Sequence, residues 1–222
     1  MNIPGVVFLV LFGVASLTNI FCAYFENEKW RKISKPFCML FLGIAAIVFA
    51  PDKPLIYIGV FLGLIGDIAM IWKNKKTSLL IGTLSFIAGH VLYLVQGILL
   101  LTYTIPWYVY LIVVAIILVL IVCLYRIAYK AVGNLGIVGI IYMSFLLVCF
   151  SLGIALIINN TSHPITGIFF SVGYLLFFSS DSLIVYTLFV KDIKRRDFYI
   201  MLPYLLAQFF IVFGLLVPTI IK

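Results

Sequence analysis

Charged residues are few in this chain, and acidic residues are scarcer than basic ones. Asp and Glu together number 7 among 222 residues, and all charged residues together make up 10%. An average soluble domain carries about 25% charged residues, whereas 65% of the residues here are hydrophobic. This scarcity excludes an ordinary soluble domain and predicts a protein that lies in a lipid bilayer.

Histidine and cysteine are also scarce, which disfavours metal chemistry. The chain has 2 His and 4 Cys, and the cysteines show no paired spacing with other ligands. A hydrolytic zinc site usually takes three protein ligands, and His90 is the one histidine in an apolar run. Neither a P-loop nor a G-x-S-x-G motif occurs. We therefore predict no metal and no cofactor, with a metal site formed by Asp67, Asp181 and His90 as the alternative.

Long apolar runs are abundant. Crossing the hydrocarbon takes about 20 mainly apolar residues in a helix. The candidate runs are 3–25, 37–50, 54–72, 77–101, 107–125, 135–158, 164–190 and 198–221. The predicted fold is an all-α integral membrane protein with eight transmembrane helices, which form a single multi-pass domain over residues 1–222. The second run is short, and we expect Pro36 in the first turn of its helix.

The basic residues distinguish the two sides of the membrane. All of them except Lys53 and Lys222 fall in the loops that follow runs one, three, five and seven. The positive-inside rule places these loops in the cytoplasm and both termini on the non-cytoplasmic side. Such loops attract anionic membrane lipids, and their pattern does not indicate nucleic-acid binding. We predict a location in a bacterial inner membrane.

Two acidic residues, Asp67 and Asp181, lie inside apolar runs, whereas the other five fall in loops. An ionisable residue on a membrane helix costs a few kcal/mol to insert and usually faces the interior of the bundle. At the rise of a helix, Asp67 would lie roughly 9 Å and Asp181 roughly 15 Å from the next basic loop. We expect both in one functional site in the cytoplasmic half of the membrane. The alternative for Asp67 is an interfacial ion pair with a lysine of "KNKK" at 73–76.

Other polar side chains fall at similar depths in the runs, namely Asn19, His90, Tyr93, Tyr204 and Gln208. Helical spacing places His90 with Tyr93 on one face and Tyr204 with Gln208 on another. We expect one interior cavity, open toward the cytoplasmic side, to hold them with the two aspartates. The alternative is that each forms an interhelical hydrogen bond without a role in function.

The two aspartates occur in related surroundings. The separation from each aspartate to the polar residue of the following run is the same. This pattern suggests two parallel four-helix halves over residues 1–101 and 106–222. Gly59 and the glycine one turn later would let a neighbouring helix approach the helix of Asp67 closely.

Five short motifs follow one another along the chain: "KP" at 35–36, "GD" at 66–67, "FIAGHVLY" at 86–93, "GYLLFFSSD" at 173–181 and "PYLLAQ" at 203–208. Together they resemble the lysoplasmalogenase family, the YhhN-like integral membrane proteins, over nearly the whole chain. The resemblance implies hydrolysis of the vinyl ether bond of a lysophospholipid, lysoplasmenylethanolamine or lysoplasmenylcholine. The products would be a fatty aldehyde and glycerophosphoethanolamine or glycerophosphocholine.

This chemistry suits a pair of carboxyl groups. Vinyl ether cleavage needs an acid that protonates the alkene and a carboxylate that stabilises the resulting cation or activates water, as in glycosidases. A carboxyl group removed from water keeps its proton more readily. We predict Asp181 as the acid and Asp67 as the base, with the reverse assignment open. His90, the third predicted catalytic residue, would orient water or share a proton.

The remaining polar residues are predicted to bind the substrate. They are Lys35, Asn19, Tyr93, Tyr204 and Gln208. Lys35 would contact the substrate phosphate as a point charge, or would serve only as a topology anchor. Tyr204 and Gln208 would help to orient water.

Two other functions fit the same residues. A proton-coupled transporter also places carboxylates and a histidine inside the membrane. Transporters often have helices interrupted near the midplane, but Pro203 and Pro218 fall near the ends of the last run. A lipid-binding scaffold without chemistry would instead tolerate replacement of the aspartates.

Overall fold

A computed structural model describes residues 2–72, 76–101, 122, 134–159 and 164–220. The regular structure in these ranges consists of seven α-helices and one short 3₁₀ helix. The α-helices are α1 (Ile3–Tyr24), α2 (Glu28–Phe49), α3 (Pro54–Ala69), α4 (Lys76–Ile98), α5 (Asn134–Asn159), α6 (Pro164–Phe189) and α7 (Arg196–Ile220). The predicted all-α fold class is confirmed.

Six of these helices are long and apolar enough to cross a membrane, and α3 is the shorter one. Its 16 residues span about 24 Å, less than the roughly 30 Å of hydrocarbon. The 3₁₀ helix Met70–Trp72 extends it. Apolar side chains of α1 face outward, among them Val7, Val10, Val14, Leu17 and Phe21. The chain is an integral multi-pass membrane protein.

Seven of the eight predicted runs correspond to a described helix. The fifth run, 107–125, lies outside the described residues except for residue 122. The count of eight helices, the side of the termini and the division into two four-helix halves therefore stay predictions.

Helix α2 begins at Glu28 rather than at residue 37, and Pro36 lies inside it rather than in its first turn. The helix starts earlier because the side chain of Asn27 caps it by accepting a hydrogen bond from the Trp30 amide at 3.3 Å. The prediction missed this start because the first turns carry charged residues instead of apolar ones. As a result, Lys35 lies on the helix and not in a loop.

Helix α7 is the centre of the bundle. It packs most extensively against α6 and also contacts α1, α2, α3 and α4. In its most apolar stretch 67% of the residues are buried, the largest share among the six candidate membrane spans. Pro203 lies two turns inside α7, deeper than the sequence position near a run end suggested. The Ser180 hydroxyl donates to the Ile200 carbonyl at 3.0 Å and so links α6 to α7.

Helices α3 and α4 approach each other at glycines, as predicted. A Cβ atom on Gly89 would lie 2.9 Å from the carbonyl oxygen of Gly59, and one on Gly59 would clash with the ring of Tyr93. Only residues without a side chain allow this contact between backbones. The close approach sets the positions of Asp67 on α3 and His90 on α4 relative to each other.

Candidate active site

The Asp67 carboxyl group lies in the last turn of α3 and is fully buried. Its Oδ1 atom forms an ion pair with Lys35 Nζ at 3.1 Å, and its Oδ2 atom accepts a hydrogen bond from the Tyr204 hydroxyl at 2.8 Å. The Lys35 side chain is only 13% exposed, so the pair is largely shielded from water. The cation beside Asp67 thus comes from α2. Residues 73–75 of the "KNKK" segment lie outside the described part.

The Asp181 carboxyl group has different surroundings. It lies in α6, and its Oδ2 atom accepts a hydrogen bond from the Tyr142 hydroxyl of α5 at 2.6 Å. Among the described residues, no cation comes within ion-pair distance of it, although it lies within electrostatic range of Lys35 and Asp67. Asp181 is partly exposed, whereas Asp67 is not. One carboxyl group is therefore neutralised by a neighbouring ammonium, and the other is accessible and uncompensated.

Aromatic rings connect the surroundings of the two carboxyl groups. Phe177 lies one turn before Asp181 on α6, and its ring contacts that of Tyr204 at a centroid distance of 5.5 Å. Phe86 of α4 packs edge-on against both rings at 6.1 Å. The Lys35 ammonium lies 5.6 Å from the centre of the Tyr204 ring. The site thus combines two carboxyl groups with an apolar aromatic wall.

His90 lies beside this wall and not beside either carboxyl group. Its Nδ1 atom is 3.2 Å from the Tyr174 hydroxyl, and its ring packs edge-on against Phe177 at 4.5 Å. Its Nε2 atom is buried and has no hydrogen-bond partner in the described part of the chain. His90 therefore belongs to the same cluster but is positioned by Tyr174.

Tyr93 and Gln208 lie on the faces that were predicted and are almost fully buried. The Tyr93 ring packs on Gly59 and lies 5.9 Å from the His90 ring, while Gln208 faces Gly63. Within the described residues, the Tyr93 hydroxyl and the Gln208 Oε1 atom have no hydrogen-bond partner. These two groups are polar atoms of the bundle interior next to the site.

Asn19 is the predicted site residue that the structure places elsewhere. Its side-chain amide donates to the Arg31 carbonyl at 2.8 Å and to the Ser34 hydroxyl at 2.9 Å. These bonds hold α1 against α2. The Asn19 amide nitrogen is therefore used between two helices, while its Oδ1 atom is buried and has no hydrogen-bond partner among the described residues.

The arrangement is suited to proton transfer and to charge stabilisation. Two carboxyl groups in different surroundings can hold different protonation states, which is how paired carboxyl groups divide acid and base roles. No group of three His, Cys, Asp or Glu side chains that would hold a metal ion occurs within the described ranges.

The residues of this cluster lie in a segment that matches the model of a known protein family. The family model described as the YhhN family matches residues 30–215, from the first turn of α2 almost to the end of α7. The chain belongs to the YhhN family. The YhhN family includes lysoplasmalogenases, and the resemblance seen in the five motifs is confirmed at the level of the family. No curated protein and no solved structure matches the chain.

The segment shared with the YhhN family contains both carboxyl groups and His90 but not Asn19. It also contains Tyr142, which the sequence reasoning missed although it bonds to Asp181. The available signal was a tyrosine in an otherwise apolar run, since a buried tyrosine hydroxyl normally needs a partner. That signal is weak, because the sequence does not say which of the distant carboxyl groups the hydroxyl meets.

Proposed function

We propose that this chain is a lysoplasmalogenase that hydrolyses the vinyl ether bond of a lysophospholipid to a fatty aldehyde and a glycerophospho-alcohol. The observation that carries the proposal is the pair of carboxyl groups with unequal surroundings, which lie in the segment matched by the model of a family that includes lysoplasmalogenases. Vinyl ether hydrolysis needs one acid and one carboxylate. The aromatic wall suits an alkenyl chain.

In the first step, the Asp181 carboxylic acid donates its proton to the alkene carbon farther from the ether oxygen. The electrons of the double bond form the new C–H bond, and an oxocarbenium ion remains. The proton belongs on Asp181 because Asp67 is the carboxyl group with an ammonium beside it, which stabilises the ionised form. Tyr142 donates to Oδ2 of Asp181 and so turns the other oxygen toward the substrate.

In the second step, water attacks the carbon next to the ether oxygen and gives up a proton to the Asp181 carboxylate. The resulting hemiacetal breaks its bond to the glycerol oxygen, which takes up the proton that the hemiacetal hydroxyl loses as the C=O bond of the aldehyde forms. Aldehyde and alcohol are the products, and Asp181 is again protonated. Asp67 stabilises the cation across the site, and His90 offers its free Nε2 atom to a water molecule.

The test is aldehyde release by the purified full-length chain in detergent. The substrate is lysoplasmenylethanolamine, and an ester-linked lysophospholipid serves as the chemical control. We expect aldehyde only from the vinyl ether lipid and its loss in Asp181→Asn. An Asp52→Asn variant, which changes an exposed loop residue at the other end of the bundle, should retain activity. If the wild type releases no aldehyde from either headgroup class, the proposal fails and proton-coupled transport should be assayed.

A further inference from the structure

A charged cavity of about 490 Å³ opens at the end of the bundle where α1 ends and α7 begins. Its polar lining consists of Glu26, Glu28, Arg31, Asp192, Lys194, Arg195, Arg196 and Asp197. Four of these residues are basic and four are acidic. Such a volume is in the usual range for small-molecule sites, and the lining presents both charges of a zwitterion.

Helices α2 and α7 contribute residues both to this cavity and to the carboxyl site. Arg31 and Lys35 are one turn apart on α2, about 6 Å along the helix axis. Arg31 forms an ion pair with Asp197 of α7 at 3.1 Å, while Lys35 faces Tyr204 of the same helix. Helices α2 and α7 therefore carry two successive pairs of facing residues. The outer pair lines the charged cavity, and the inner pair belongs to the catalytic site.

Two charged groups of the cavity are not engaged by the protein. Within the described residues, Glu26 and Lys194 form no ion pair and no side-chain hydrogen bond. By contrast, Arg31 is bound to Asp197, and Arg196 contacts Asp192 at 3.3 Å. A free carboxylate and a free ammonium in one cavity can bind opposite charges of the same ligand.

The lining is selective for the kind of cation. The described residues that form it include no aromatic ring. The nearby Tyr24 ring is already covered by the Arg195 guanidinium at 4.1 Å. Quaternary ammonium groups are bound by aromatic cages, whereas a primary ammonium donates hydrogen bonds to carboxylates. The cavity therefore fits an ethanolamine headgroup better than a choline headgroup.

We infer that this charged cavity binds the headgroup of the lysophospholipid, with the phosphate at Lys194 and the primary ammonium at Glu26. The inference rests on the proposed function. The glycerol backbone then spans the turn between Arg31 and Lys35, which brings the vinyl ether bond to the two carboxyl groups. In this arrangement the phosphate contacts Lys194 rather than Lys35, because the Lys35 ammonium is already paired with Asp67.

The experiment measures binding and needs no turnover. The probes are the saturated-ether analogues of lysophosphatidylethanolamine and lysophosphatidylcholine, which contain no vinyl ether bond. Their dissociation constants are measured with the full-length protein in nanodiscs. We expect the ethanolamine analogue to bind about two- to fivefold more tightly, the range for an exposed charge pair. Equal binding of the two analogues, or tighter binding of choline, would overturn the inference.

Two variants with matched controls assign the two charges. Glu26→Gln should remove the preference for the ethanolamine analogue. Lys194→Gln should raise the dissociation constants of both analogues by about two- to fivefold. Asp52→Asn and Lys53→Gln make the same changes of charge in the loop at the other end of the bundle and should alter neither constant. Equal effects of the cavity variants and their controls would mean that only the overall charge matters, which contradicts a headgroup site.

The binding result and the proposed function can fail separately. If the ethanolamine analogue binds selectively but no aldehyde is released from the vinyl ether lipid, the headgroup site stands and the hydrolase proposal falls. If aldehyde is released but Glu26→Gln and Lys194→Gln bind both analogues like the wild type, the hydrolase proposal stands and the headgroup is bound elsewhere.

Discussion

The two intramembrane carboxyl groups are alike in sequence and unlike in the folded protein. Asp67 is fully buried between an ammonium and a tyrosine hydroxyl, whereas Asp181 is partly exposed and, in the part of the chain that the structure describes, bonds to a tyrosine hydroxyl alone. The comparison teaches that the fold can give two carboxyl groups in similar sequence surroundings different electrostatic surroundings. A charge inside a membrane is tolerated where a counter-charge meets it, and among the described residues Asp67 has such a partner within ion-pair distance whereas Asp181 has none.

The Asp67→Asn variant should show the largest combined loss of activity and stability. We expect at least a ~100-fold loss of aldehyde release, the usual scale for a group in acid–base chemistry. The variant should also lose about 3 kcal/mol of stability, because the mostly buried Lys35 ammonium keeps no partner. Asp181→Asn should lose the same activity but only about 1 kcal/mol, since an amide oxygen still accepts the Tyr142 hydroxyl.

Thermal unfolding in detergent and aldehyde release, measured on the same preparations, test this contrast. Equal destabilisation by the two substitutions would show that the Lys35 ion pair does not distinguish the two sites.

Removing both members of the ion pair sharpens the comparison further. Lys35→Met alone should destabilise the protein by leaving a buried carboxylate, and the double variant Lys35→Met with Asp67→Asn should recover about 2 kcal/mol relative to the sum of the single changes. A double-mutant cycle from unfolding midpoints gives this coupling energy. Activity should not return. Strictly additive effects would mean that the 3.1 Å contact contributes nothing to the stability of the fold.

The two tyrosines that bond to the carboxyl groups should differ in importance. Tyr142→Phe removes the hydrogen bond that Asp181 receives from Tyr142, and we expect turnover to fall about tenfold. Tyr204→Phe leaves Asp67 with Lys35 and should cost about threefold. The pH profile of turnover should shift in Tyr142→Phe, because the carboxyl group loses its donor, which a purely structural role would not produce. A larger loss in Tyr204→Phe would reverse the proposed roles of the two sites.

Asn19→Ala should have the smallest effect on chemistry. The side chain joins α1 to α2, and neither of these hydrogen bonds goes to a member of the carboxyl site. We expect stability to fall by about 1 kcal/mol and KM to stay within about twofold. Measuring aldehyde release over a range of substrate concentrations gives KM and tests whether Asn19 binds the substrate. A large rise in KM would restore the substrate-binding role that the sequence suggested for Asn19.

The sequence indicated the fold class and most of the site residues for a simple reason. Hydrophobicity over about 20 residues is a local property, so the helices could be located without knowing their neighbours. The cost of an isolated polar group in lipid marked Asp67, Asp181 and His90 in the same way. The predicted start of α2 lies too far along the chain, because the first turns of this helix carry charged residues and hydrophobicity does not reveal them.

The partners of these residues could not be predicted from the sequence. Tyr204 and Asp67 are 137 positions apart, and Tyr142 and Asp181 are 39 apart. Which of them meet depends on how each helix is rotated and tilted against its neighbours. Close contacts at glycines, such as that between Gly59 and Gly89, help to set these rotations. Lys35 looked like a topology anchor or a phosphate ligand, and its ion pair with Asp67 appeared only when α2 packed beside α3.

The sequence by itself determined that this protein is a helical membrane protein with two carboxyl groups inside it, because solvation by lipid acts on each segment independently. The tertiary structure alone decided that Lys35 pairs with Asp67, that the Tyr142 hydroxyl donates to Asp181, and that Asn19 joins two helices. The physical reason is that ion pairs and hydrogen bonds act over about 3 Å. Such distances are set by the packing of helices and not by the order of residues along the chain.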